Sequence, residues 1–330
     1  MMTAILLIAA GPSSAQKSPE RLLPVEREGH WGFIDTAGHL VIPTNFGFVW
    51  GFSEGLAPVW KDGQAGYIDE SGNFVVPPQF HYARGFSEGL AAVEINGKWG
   101  YINPHGTLVI PPRYKEARQF SEGLAAVQAD TGLWGFVDTN GIETIKPRFT
   151  LAWSFGEHSA VVYHGDKCGF IDTNGTVAVP FRFNECAGMK DGIGVVRVKK
   201  LWGFISASGN FFITPRFEDA ELFFDGLALV RQNSKWGFIG MDGQFVISPQ
   251  FAEGAERGAP TITHFSEGLA GVTKDGKFGY VDKTGAFVIA PQFRKGGPFQ
   301  NGIAQVCNSR CGFIDIHGAR IWPTDVSQPQ

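Results

Sequence analysis

Beyond its first few residues this chain has no long apolar run and no helical periodicity. No later segment approaches the roughly 18 consecutive apolar residues that a membrane helix needs, and no stretch of Ala, Leu, Glu and Lys recurs with a helix period. A membrane-spanning helix and a helical bundle are both excluded as expectations. Charge of one sign is also in short supply. The net charge is -4 over 330 residues, with Lys and Arg scattered, so the basic footprint of a nucleic-acid binder is missing.

Motifs that carry chemistry are missing as well. There is no HExxH, no GxxxxGKS, and no GxGxxG placed between a strand and a helix, and GxSxG occurs only as GFSEG at Gly51–Gly55 and Gly85–Gly89, two copies of a recurring turn. Of the eight His residues only His105 and His317 share a repeat position, and the one closely spaced Cys pair, Cys307 and Cys311, has no His pair near it in sequence to complete a zinc set. The sequence therefore gives no catalytic set, no metal site and no cofactor site. The FSEG glutamates Glu54, Glu88, Glu122 and Glu267 could in principle supply a carboxylate pair for glycoside hydrolysis. They recur, however, as a turn element and give way to Asp191, Asp225 or Asn301 in other copies, which points to structural use.

What is abundant is Gly (44) and Phe (29), set in short apolar runs closed by Gly, Pro, Asn or Asp, the punctuation of an all-β chain. The cause is repetition. Aligned on the Gly of a recurring Trp-Gly dipeptide, the copies fall at Gly32, Gly66, Gly100, Gly135, Gly169, Gly203, Gly237, Gly279 and Gly312. Seven of the eight intervals are 33 to 35 residues, and the eighth, 42, holds an insertion around Ala252–His264. Self-similarity at such a period marks a stacked or radial repeat architecture.

Within a copy, GLAAV, WGYIN and TLVIP read as three antiparallel strands. A D-x-x-G type turn joins the second to the third, as in DTAG, DESG and NPHG. Its Gly never varies, as expected where the backbone needs positive φ, and its Asp or Asn is suited to an Asx turn. The third strand is expected to stop at its Pro (Pro43, Pro77 and their counterparts), which offers no N–H to a ladder. Aromatics such as Phe46, Phe80, Phe86 and Phe120 recur at fixed register and read as packing between units. The WG Trp is replaced by Ala65, Cys168, Phe278 and Cys311, so it is not a catalytic group. The Gly after it is invariant, which implies close approach of another backbone or a bulky ring.

These residues carry a resemblance. WGFIDTAG, KWGYINPHG, LWGFVDTNG and KWGFIGMDG, each followed by a V/I-P segment and FSEGLA-like residues, resemble the WG repeat family of bacterial proteins over roughly Leu22 to Asp325. The resemblance is specific to the repeat and implies little about function. The expected fold is all-β: a tandem array of nine three-stranded antiparallel units of about 34 residues, open and twisted, with a closed, propeller-like arrangement as the alternative. Residues 1–15, MMTAILLIAAGPSSA, with an apolar core from Thr3 to Ala10 and small residues Ser13 and Ala15 ahead of Gln16, are expected to be a secretory signal, although no Lys or Arg precedes the core. A short linker at 16–21, the repeat domain at 22–325 and a tail at 326–330 complete the expected organisation, and a periplasmic or secreted location follows from it.

Departures from the repeat mark the candidate contacts. Trp50 and Trp153 stand eighteen residues after their WG Gly, where other copies carry Arg84, Arg118 or Glu221, so the position is expected to be exposed. Arg113, Arg148, Arg182 and Arg216 share one slot in four successive copies. They form either a ladder of bidentate donors for anions or pairs with nearby crossover carboxylates. Glu256 and Arg257 lie in the inserted stretch. The two copies with Cys in place of Trp, Cys168 and Cys311, are also the copies with a second Cys, Cys186 and Cys307, so disulfides Cys168–Cys186 and Cys307–Cys311 are expected in an oxidising compartment. The functional expectation is an exported, non-enzymatic scaffold that binds a protein or a cell-envelope glycan. A structural spacer without a specific ligand is the alternative, and a glycan-active hydrolase a remote one.

Overall fold

In the computed structural model, residues 22–252 and 262–322 are described. The N-terminal apolar segment, Glu256, Arg257 and the third-strand Pro of the last copy, Pro323, lie outside the described residues. Each repeat forms one small antiparallel sheet, and there are nine among the described residues, seven of four strands and two of three.

The third copy shows how sequence becomes sheet. Its strands are Tyr82–Ala83, Ala91–Ile95, Lys98–Ile102 and Leu108–Tyr114, paired in that order. The two inner strands are mostly buried, because each blade packs a neighbour on both faces and alternation gives way to continuous apolar runs. The extra strand is a correction to the three-stranded expectation. Two residues of what reads as crossover pair with the GLAAV strand, Tyr82 opposite Glu94 and Ala83 opposite Val93.

The turns behave as their residues dictate. Asp35 Oδ1 accepts from the backbone N–H of Ala37 and His39, and Asp69, Asn103, Asp138, Asp172, Asp282 and Asp315 repeat the pattern. The carboxylates are thus engaged by their own backbone. The third strand does not stop at its Pro. Leu40–Phe46 continues through Pro43 with an irregular register, Phe33 pairing with Ile42 and Trp31 with Phe46. An edge strand with a bulge tolerates a missing N–H. That bulge folds over the WG glycine: a Cβ on Gly32 would lie 2.4 Å from the Ile42 carbonyl oxygen, and one on Gly100 would lie 2.5 Å from that of Ile110. Close backbone approach is the reason this Gly is invariant.

The core is divided into seams between neighbouring sheets. One seam joins Trp99, Tyr101, Ile110 and Tyr114 of the third sheet to Ala117, Phe120 and Val127 of the fourth. Eight such seams would serve nine sheets in an open array. A ninth exists: Leu23, Val25 and Ile34 of the first sheet pack with Phe313 of the last, and Ile303, Ile321 and Trp322 pack against them. The array is therefore a closed ring, a propeller of nine blades, and the open arrangement is overturned. Closure removes the two exposed apolar faces that an open array would leave at its ends.

Candidate functional site

The FSEG turns are used in building the ring. Ser53 Oγ donates to the Phe86 carbonyl of the next blade, and Ser87, Ser121 and Ser266 do the same to Phe120, Phe155 and Phe299. The Glu54 carboxylate accepts the N–H groups of Glu88 and Gly89, and the Glu88 carboxylate accepts from Gly123. Glu122 and Glu267 reach the next turn in the same way. Each carboxylate caps the following turn, so these residues are not arranged as an acid/base pair.

The arginine ladder is committed to structure too, with a partner that differs from both sequence expectations. The Nη2 groups of Arg113, Arg148, Arg182 and Arg216 donate to the carbonyls of Gly141, Gly175, Gly209 and Gly243 at 2.5–2.7 Å. Each guanidinium also lies 5.0 Å from the ring of the following aromatic residue, Tyr114, Phe149, Phe183 or Phe217. The D-x-x-G turn of the next blade presents its carbonyl to the Arg, nearer than any crossover carboxylate.

Trp50 and Trp153 stay exposed, at 46% and 47%, whereas the WG residue Trp99 is 6% exposed. They belong to a row that immediately follows the short first strands. Its members at one register on four consecutive blades are Trp50, Arg84, Arg118 and Trp153. Ring contacts run from Trp50 through Phe48 and Trp60 to Tyr82 and Trp99 at 5.3–5.7 Å. Arg84 stacks 4.9 Å from Trp99 and reaches Glu116 at 3.6 Å. Arg118 lies 5.0 Å from Trp134 and 4.1 Å from Trp153, and its Nε donates to Ala152 O at 2.9 Å. Burial first, and then the like charge of Arg84, lowers the Arg118 pKa from its usual value, with Glu116 opposing.

The backbone under the row is pinned from behind. Tyr67 and Tyr101 of the preceding blades are fully buried, and their hydroxyls donate to Arg84 O and Arg118 O at 2.7 Å. Burial pushes both phenol pKa values far up, so they remain protonated donors.

After Trp153 the same register falls to Ala187, followed by Gly188, and the missing bulk opens a cleft of about 450 Å³, a volume within the range of small-ligand sites. Trp153, Tyr163, Trp202, Met189 and Leu222 line it, with Glu185 and Ser159 among its polar groups. Glu185 pairs with Arg197. Cys186, also on the lining, is joined to Cys168 with the Cα atoms 6.1 Å apart, a bridge between the fifth and sixth blades; Cys307 is joined to Cys311 across a hairpin. The sequence marks Trp153 but not Trp202 or Met189. The signal for the cleft is the drop to Ala187-Gly188 at a slot filled elsewhere by Trp or Arg.

A family model described as "WG containing repeat" matches residues 31–64, 66–99, 99–130, 134–168, 169–202, 202–236, 236–278 and 278–309. The chain belongs to the WG repeat family. Each match in this WG-repeat chain runs from the WG strand of one blade towards that of the next, so eight matches link nine blades and the ninth link is the noncovalent closure. No curated protein matches the sequence. Among solved structures, a eukaryotic initiation factor is similar at 14% identity and a TM-score of 0.60, covering 91% of this chain and 95% of that one. The computationally designed Ika8 protein is similar at 11% identity and a TM-score of 0.50, covering 89% and 99%. Dihydro-heme d1 dehydrogenase NirN in complex with DHE is similar at 13% identity and a TM-score of 0.50, covering 94% and 78%. At such identities the likeness is one of fold alone. No helix among the described residues is long and apolar enough to cross a membrane.

Proposed function

We propose that this WG-repeat propeller is a non-catalytic binding scaffold of the periplasm or the extracellular space, holding a cell-envelope glycan or a protein on its first-strand row and adjoining cleft. The observation that carries this reading is the exposure of Trp50 and Trp153 in a fold where most repeated aromatics are committed to seams. Aromatic and Arg side chains dominate binding energy where they can be desolvated by a partner, and here both types share one register. The cysteine pairs support an oxidising compartment, where such bridges persist.

The test is calorimetric titration of the purified protein with envelope fractions separated into polysaccharide and protein. Saturable binding to one fraction, lost in a Trp50→Ala/Trp153→Ala double variant that keeps its melting temperature, supports the scaffold. Absence of saturable binding to either fraction, or undiminished binding by the double variant, overturns it in favour of a spacer or of a different surface.

A further inference from the structure

We infer that the ligand of the row is an acidic polysaccharide, one whose sugar rings carry carboxylates of the uronic-acid type, an inference that rests on the scaffold reading above. The order of the row is Trp50, Arg84, Arg118, Trp153, one residue per blade over four blades. A polymer laid along the ring meets these side chains in succession at the blade repeat, and simultaneous engagement multiplies weak single contacts. The outer members present exposed indole surface, Trp153 with one face taken by Arg118, and such surface matches the C–H faces of sugar rings. The inner two present guanidinium forks, which match carboxylates in bidentate geometry.

The charge arrangement leaves room for an anion. Arg84 and Arg118 lie close enough that the charge of one disfavours that of the other, and one carboxylate, Glu116, answers Arg84 at 3.6 Å. Arg118 bonds a backbone carbonyl and, among the described residues, makes no ion pair. Glu116 acts on both guanidinium groups, so the two cations share one anion, and a ligand carboxylate beside them would supply a second counter-charge. The chain as a whole is at -4, so this cation pair is a local feature and not part of a generally basic surface.

The backbone speaks against an extended peptide. Peptides that add to sheets use free N–H and C=O groups on an open edge strand. The first strands of these blades are two residues long, Phe48–Val49, Tyr82–Ala83, Glu116–Ala117 and Leu151–Ala152. The N–H groups at the row register already bond the next strand, Trp50 to Pro58, Arg84 to Ala92, Arg118 to Ala126 and Trp153 to Val161. The Arg84 and Arg118 carbonyls are taken by Tyr67 and Tyr101. What remains to be read is side chains held on a fixed backbone, which suits a ligand recognised by ring faces and charge.

The experiment titrates the full chain with polygalacturonate, neutral dextran and poly-glutamate. Expected are saturable binding to polygalacturonate, a loss of roughly tenfold or more in Arg84→Gln/Arg118→Gln, and marked weakening between low and physiological salt. Equal binding of dextran overturns the acidic requirement, and equal binding of poly-glutamate overturns the sugar requirement. Failure of all three probes overturns the inference itself. Each of these results leaves the scaffold reading standing if envelope fractions still bind. Arg118 packs between two Trp rings, so if the double variant does not fold, Arg84→Gln alone and the salt dependence of the unaltered protein decide: salt-independent binding overturns the inference.

Discussion

The backbone of Gly38 lies against the carbonyl of Ile321, so close that a Cβ on Gly38 would stand 2.2 Å from that oxygen. Gly38 is in the first blade and Ile321 in the last, and this contact does for ring closure what Gly72 on Ile42 and Gly106 on Val76 do for covalently linked neighbours.

Gly38→Ala should therefore be costlier than a turn substitution in open space. Gly38 has φ +89 and a blocked Cβ direction, whereas Gly123 has φ +77 and nothing within 4 Å. Gly123→Ala should cost about 1–2 kcal/mol for the left-handed backbone alone. Denaturant midpoints should rank Gly38→Ala clearly below Gly123→Ala, with faster hydrogen exchange in both Leu23–Arg27 and Arg320–Trp322. Equal midpoints would sink the closing contact.

Gly100→Ala separates close approach from positive φ, since Gly100 has no left-handed φ but its Cβ would sit 2.5 Å from Ile110 O and 2.8 Å from Pro112 N. The expected loss is about 3 kcal/mol, the upper part of the usual range for single substitutions. A neutral result in thermal unfolding would mean that the bulge does not lie over the WG glycine.

The three tryptophans should divide into two kinds. Trp99→Ala truncates a buried side chain and should lose about 3–5 kcal/mol of stability. Trp50→Ala and Trp153→Ala should weaken binding by about 1–3 kcal/mol each while leaving the melting temperature nearly unchanged. If Trp50→Ala melts as early as Trp99→Ala while its folded fraction binds normally, the row is misplaced.

Reduction should act unequally on the two bridges. Cys168–Cys186 closes 18 residues and Cys307–Cys311 closes 4, so loop-closure entropy predicts losses of about 3 and about 2 kcal/mol. Melting of paired Cys→Ala variants with and without reductant measures each. Since Cys186 lines the cleft, only its variant should alter ligand binding; an identical binding change in both would contradict this.

Glu221 should make the fold more stable in acid than its neighbours would suggest. Burial, with the Asp219 charge adding, holds its pKa above the ordinary carboxylate value in the folded state. The folded chain thus holds this proton more tightly than the unfolded one, and the associated stability is present below the unfolded pKa and lost as pH rises through the folded one. Glu221→Gln should raise the unfolding midpoint at neutral pH, and the difference should shrink on acidification. A difference independent of pH would show that the carboxyl's charge is not its cause.

Local features were legible because they are solved within one repeat. The nine copies, the positive-φ Gly of the D-x-x-G turn, the Asx bonds of Asp35 and its counterparts and the approach of backbone over Gly32 all involve residues within about one strand-turn-strand unit, where residue type dictates conformation. Register also exposed the slot shared by Trp50, Arg84, Arg118 and Trp153. Tertiary structure decided the rest. Closure depends on the accumulated rotation from blade to blade, a quantity no single repeat encodes, and it appears only when Leu23 and Val25 meet Phe313. The partner of Arg148 is the carbonyl of Gly175 because the next blade's turn is brought there by packing. The cleft at Ala187 is lined from both the fifth and the sixth blades, so its shape is a property of the seam and not of either repeat alone.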